Sequence, residues 1–147
     1  MRIPLVVLAL SLHGCGAMDF SGRYEAEVTA RSETPASARA TSNSTTERVD
    51  IARDAPSHYR VRLAPKGQPA CDLTARRENG YELEFESGQT CTRGGGAVTL
   101  LAGHARGGPA ATRPDGITFT LAWTSTSAEG TATLHEDLHV PQSVGCF

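Results

Sequence analysis

The chain has 147 residues, with 14 lysines and arginines against 16 aspartates and glutamates, a net charge of −2, and 39% hydrophobic but only 5% aromatic residues. That balance gives no electrostatic case for nucleic acid, and the length suits one domain that buries about two-thirds of its unfolded surface without a metal staple. With so few rings the core must rest mainly on Val, Leu and Ala, so only modest stability is expected without a disulfide.

Met1 and Arg2 form a short basic start, residues 3–12 an apolar run, and Leu12-His13-Gly14 leads into Cys15. A helix over that run would rise only about 15 Å, half of the roughly 30 Å hydrocarbon core, so it cannot span a membrane and has the anatomy of a signal peptide. Its ending, Leu12 three positions before Cys15 and Gly14 just before it, resembles the lipobox of bacterial lipoprotein precursors. His13 stands where that family usually has a small or aliphatic residue. The resemblance covers the first fifteen residues, and an ordinary secretory signal with an incidental cysteine is its alternative. It implies that residues 1–14 are removed and that Cys15 becomes the first residue and carries acyl chains such as palmitate. Burial of about 0.8 kcal/mol per methylene on more than one chain would then make a stable anchor. Gly16, not Asp, after the cysteine implies sorting to the outer membrane. Residues 15–19 are then a short tether and residues 20–147 the folded domain.

That domain opens with Tyr24, Ala26 and Val28 alternating against Glu25, Glu27 and Thr29, the period of two expected of a half-buried strand. Residues 31–46 lack apolar periodicity and are expected to form a mobile loop. Two more strands follow, one around Val49 and Ile51, the next with Tyr59, Val61 and Leu63 on one side and His58, Arg60 and Arg62 on the other. In "CDLTARRENGYELEFES" a three-residue loop, Glu78-Asn79-Gly80 with Gly80 left-handed, makes a hairpin that sets Leu73 opposite Phe85 and Ala75 opposite Leu83. It also sets Asp72 against Glu86, a like-charge clash. "RGGG", residues 93–96, and "ARGGP", residues 105–109, are read as turns. "AVTLLAGHA" is a strand, and "ITFTLAWTS" turns Ile117, Phe119, Leu121 and Trp123 inward. The last strand, "TATLHEDLHV", runs to Pro141. About eight short strands with no amphipathic helix predict an all-β single domain, an antiparallel barrel or sandwich. Gly22-Arg23-Tyr24, a G-x-Y opening the first strand, is similar to the start of small calycin-type barrels, which implies a calycin-like barrel as one form of this fold.

Setting Cys15 aside for lipid leaves Cys71, Cys91 and Cys146. Export makes a disulfide chemically reasonable. Cys71 with Cys91 is the favoured pair, since they flank one local hairpin, while Cys146 could compete for either partner.

"HEDLH", residues 135–139, fits the letters of the H-E-x-x-H zincin motif, which needs a helix to put both histidines on one face. Here the flanks are poor helix material. On a strand, His135 and His139 would lie about 13 Å apart at roughly 3.3 Å per residue, with Glu136 pointing the other way. No metal and no cofactor is therefore expected, and Glu136→Gln should leave the fold unchanged. Tyr81, Phe85, Phe119 and Trp123 are core residues that could alternatively line a cavity. The chain thus reads as a lipid-anchored envelope protein, a structural or binding module and not an enzyme. A calycin-like carrier of a small apolar ligand is the alternative, and a zinc hydrolase using His135, Glu136 and His139 a second one. The expected partners are the membrane, through the lipid anchor, and either an envelope protein or a small apolar ligand, with no nucleic acid.

Overall fold

Alternation of apolar and polar residues runs through most of the chain, and the computed structural model, which describes residues 19–34, 37–107, 116–128 and 130–141, resolves it into nine strands. These are β1 (Gly22–Thr34), β2 (Ser37–Ala55), β3 (His58–Pro65), β4 (Cys71–Asn79), β5 (Glu82–Phe85), β6 (Thr90–Arg93), β7 (Gly96–Gly107), β8 (Ile117–Ser127) and β9 (Gly130–Val140). Neighbours pair antiparallel in the order β5-β4-β3-β2-β1-β9-β8-β7, and pairing of β5 with β7 closes the sheet into an eight-stranded barrel, with β6 as an extra strand on β7. The all-β single domain expected from the sequence is therefore a barrel, not a sandwich. Pairing of β5 with β7 covers the two edges that an open, half-buried sheet would otherwise have to protect.

β5 and β6 are two halves of one broken strand beside β7. Leu83 faces Ala105 and Cys91 faces Val98. Between them Gly88 N donates to Leu100 O and Leu100 N to Gln89 O, each at 2.7 Å. Gly88 sits in the break with φ +85, a conformation that strains any residue with a Cβ. On the other side of the break the Gln89 amide replaces a missing stretch of strand. Its Oε1 accepts from Thr74 N at 2.7 Å, and its Nε2 donates to Thr74 O at 3.0 Å.

The inward positions form one core, which includes Tyr24, Ala26, Val28, Val49, Ile51, Tyr59, Val61, Leu63, Leu73, Leu83, Ile117, Phe119, Leu121, Trp123 and Leu138. Phe20, just ahead of β1, is fully buried toward one end of the barrel, edge-on to the Tyr59 ring at 6.0 Å. The Tyr24 hydroxyl holds it there by donating to the carbonyls of Phe20 and Ser21, at 3.1 and 3.0 Å. Burial, and secondarily the charge of Asp19, pushes that phenol above its ordinary pKa.

Two expectations are corrected. Much of the segment read as a mobile loop, residues 31–46, is strand. Residues 31–34 lengthen β1 and residues 37–46 lengthen β2, with Arg31 facing Ser42 and Ser32 facing Thr41. β1 pairs on its other side with β9, Arg31 against His135. The described side chains of this ribbon are largely exposed, so no apolar alternation was required of it. Backbone pairing and Thr-rich β-propensity suffice.

The β4–β5 register is also different. Ala75 faces Phe85, Arg77 faces Leu83 and Asn79 faces Glu82, so the turn is Gly80-Tyr81, Glu78 is a bulge, and Gly80 does not take a positive φ. The shift from the expected pairing is two residues, which keeps every side chain on its face. This register also keeps Glu86 clear of Asp72. Glu86 moves away from Asp72 to donate its N–H to Thr74 O at 3.2 Å. Asp72 is held instead by Arg62 through two bonds of 2.7 and 2.9 Å, which keep its carboxyl below the usual range. Arg77, now opposite Leu83, bonds the Tyr59 hydroxyl and the Gly80 carbonyl, and its guanidinium lies over the Phe20 and Tyr59 rings at 5.5 and 5.4 Å.

Candidate functional site

Cys15 and Cys146 lie outside the described residues. Cys71 and Cys91 form a disulfide with their Cα atoms 5.3 Å apart, tying the start of β4 to β6 across the break in the wall. It is the pair favoured from the sequence.

Of the four aromatic residues named as core or cavity lining, Phe85, Phe119 and Trp123 belong to one buried core and Tyr81 packs against it. Phe85 and Phe119 meet ring to ring at 6.2 Å, Tyr81 is only partly buried at the β4–β5 turn, and Trp123 is four residues along β8 from Phe119. At roughly 3.3 Å per residue, Phe119 and Trp123 sit about 13 Å apart along the barrel. Phe85, Phe119 and Trp123 are core side chains, each 4% exposed or less.

"HEDLH" is strand, within β9. Asp137 and His139 point to solvent and His135 is half-buried, its Nε2 3.8 Å from a Glu33 oxygen, while His139 Nδ1 lies 3.5 Å from the Thr118 hydroxyl. Glu136 points the other way, into the barrel, so the zincin constellation is not assembled. Glu136 is one arm of a buried ion cluster, a role that the expectation of an unchanged fold in Glu136→Gln did not include.

That cluster is the most unusual chemistry in the molecule. Arg93, Glu47 and Glu136 are 4, 4 and 5% exposed, the buried charged residues of the described chain. Arg93, last residue of β6, reaches across the interior to strands on the far wall. Its Nε and Nη2 donate to Glu136 Oε2 at 3.1 and 2.9 Å. Nη1 donates to Glu47 Oε1 at 3.1 Å, and Nη2 lies 3.1 Å from Glu47 Oε2. Trp123 Nε1 adds a third donor to Glu136 Oε2 at 3.0 Å. Burial by itself would lower the pKa of Arg93, but Glu136 and Glu47 outweigh it and hold the guanidinium above its ordinary value. Burial raises the Glu47 carboxyl, Arg93 only partly offsets this, and Glu136 adds to it. Two carboxylates against one guanidinium leave a surplus negative charge in a low-dielectric place, where it is costly.

Glu47 and Glu136 could have been suspected from the sequence. Glu47 is in phase with Val49 and Ile51, and Glu136 with Leu134 and Leu138, so period two already put both on inward faces. Arg93 carried no such mark, since it opens a run of glycines that reads as a turn.

A second feature lies on the outer wall, an open groove of about 750 Å³ along β4, β5 and β7, with Arg76, Glu78, Glu84, Glu86, Leu101 and His104 on its rim. Leu101, at the β7 bulge, is half exposed. A hydrogen bond shared by Glu78 and Glu84 raises the carboxyl of Glu84 and lowers that of Glu78. The groove is acidic, with Arg76 bonded to Glu78 at 3.0 Å as its main counter-charge.

Comparison with protein-family models, with curated proteins and with solved structures finds no match for this chain. Its class rests on the fold and the cluster themselves: an eight-stranded antiparallel barrel tied across its interior by a buried arginine.

Proposed function

We propose that this chain is a lipid-anchored cell-envelope protein that acts as a structural or binding module and not as an enzyme. The observation that carries the reading is the Cys71–Cys91 disulfide in a chain whose first fifteen residues have the export and lipobox pattern. Such bonds persist outside the reducing cytoplasm. Cys15 would bear the acyl chains, and Gly16 after it favours the outer membrane. Four residues separate Cys15 from the buried Phe20, a reach of about 14 Å at roughly 3.4 Å per residue, so the barrel would ride close to the bilayer. The rigid wall and its acidic outer groove would be the surface offered to an envelope partner. The carrier alternative has less support, since Phe119, Leu121 and Trp123 pack inside the barrel and the Arg93 cluster crosses it. Mass measurement of the mature N-terminus after acyl labelling tests the reading. Lipid on Cys15, lost in Cys15→Ser, is the expected result, and an unmodified Cys15 in the protein isolated from envelopes would end it.

A further inference from the structure

The Arg93 cluster has a composition that a purely structural tie would not need: two buried carboxylates converge on one guanidinium, and both touch the same nitrogen, Nη2, at 3.1 and 2.9 Å. The two are not equivalent. Glu136 takes three donors on one oxygen, Oε2, from Arg93 Nε, Arg93 Nη2 and Trp123 Nε1, while Glu47 meets Arg93 through both of its oxygens. Glu47 has Arg93 as its only side-chain partner among the described residues. The element that carries Arg93 is short. β6 is four residues long, bound by its ladder with β7 and by the Cys91 disulfide, and Gly94 and Gly95 follow it at φ +61 and +84.

We infer that the Glu47–Arg93–Glu136 cluster is a proton-loaded latch, which clamps β6 across the barrel when Glu47 carries a proton and loosens it when that proton leaves. Protonation of Glu47 leaves one carboxylate and one guanidinium, a balanced pair. Deprotonation restores the surplus buried charge beside Glu136. The groups that face Glu47 are few. Arg93 comes from β6 and Glu136 from β9. Across the ladders Glu47 stands opposite Ala26 of β1 and Pro65 of β3, neither of which titrates, and Trp123 of β8 bonds Glu136. Glu25, Glu27 and Arg48 point outward. Because burial raises the Glu47 carboxyl above its unfolded value, its stabilising contribution is present below that unfolded value and is lost as pH rises through the folded one.

The test uses the purified full chain. From about pH 5 to about pH 8 the thermal midpoint of the wild type should fall by about 3 °C, while Glu47→Gln should stay flat and exceed the wild type at the upper end. Corrected for intrinsic rates, backbone amides of residues 91–93 and 96–98 should exchange about tenfold faster at the upper pH, with those of Phe119 and Leu121 unchanged. A Glu47→Gln profile parallel to the wild type, or a change in exchange spread evenly over the barrel, would overturn the latch. A carbon-detected titration of Glu47 in the wild type decides the matter even if the variant does not fold. A midpoint above that of an ordinary glutamate supports the latch, and one at or below it refutes it.

Discussion

Arg93 and Glu136 stand 43 residues apart in the chain, yet Arg93 Nη2 lies 2.9 Å from Glu136 Oε2, with both side chains almost closed to water. Glu47, 46 residues from Arg93, approaches the same guanidinium from another strand. One side chain from the extra strand thereby ties together two strands of the opposite wall.

Removal of that side chain should be among the most damaging single changes. Arg93→Leu leaves two buried carboxylates with no counter-ion, a change that costs about 3–5 kcal/mol in comparable settings. The loss should shrink as the solution is made acidic. Without the guanidinium, which opposes the effect of burial, the Glu47 carboxyl holds its proton more tightly in the folded state, and such a group stabilises the fold at low pH. Denaturant midpoints of wild type and variant at about pH 5 and about pH 7 measure both parts. A loss at neutral pH below about 1 kcal/mol would remove the cluster from the account of stability.

The disulfide should matter on a similar scale for a different reason. Cys71 and Cys91 are 20 residues apart, and closing a loop of that size restricts the unfolded chain by about 3 kcal/mol in the chain-entropy picture. Replacing both cysteines by alanine, or reducing the bond, should lower the unfolding free energy by about that amount. It should also loosen β6 more than the rest, since Cys91 is two residues from Arg93. Unfolding in urea with and without reductant provides the check.

Gly103 marks a tight place in the wall. A Cβ there would come within 2.7 Å of Leu121 Cδ2 and 3.4 Å of the Phe85 side chain. Its φ is not in the left-handed region, so the obstacle is space and not backbone strain. Leu121 is 1% exposed and packed on all sides, so Gly103→Ala should destabilise by about 1–3 kcal/mol through overpacking. Shortening the neighbour should relieve part of this. In a double-mutant cycle, Gly103→Ala with Leu121→Val should cost less than the two changes added together. Strict additivity would place the clash elsewhere.

Local alternation was enough to read the inward sets Tyr24-Ala26-Val28, Tyr59-Val61-Leu63 and Ile117-Phe119-Leu121-Trp123, because a strand's two faces differ at a spacing of two residues. The all-β class and the Cys71–Cys91 pair were legible for the same reason, each being visible within a short stretch of chain. The same signal put Glu47 and Glu136 on inward faces, although an isolated inward glutamate reads as an exception until its partner is known.

What the tertiary structure decided is whatever depends on residues far apart in sequence. A two-residue slip preserves both faces, so alternation could not choose the β4–β5 register. Asp72 paired with Arg62, and Arg77 on the Tyr59 hydroxyl, belong to the register that formed. The described side chains of residues 31–33 and 43–46 leave no apolar pattern; residues 31–33 became strand through pairing with β9, more than a hundred residues away at Arg31 and His135, and residues 37–46 through pairing with β1. Arg93 is the clearest case. Beside three glycines it has the local sequence of a turn, and only closure of the barrel brings two carboxylates within reach and makes its burial affordable.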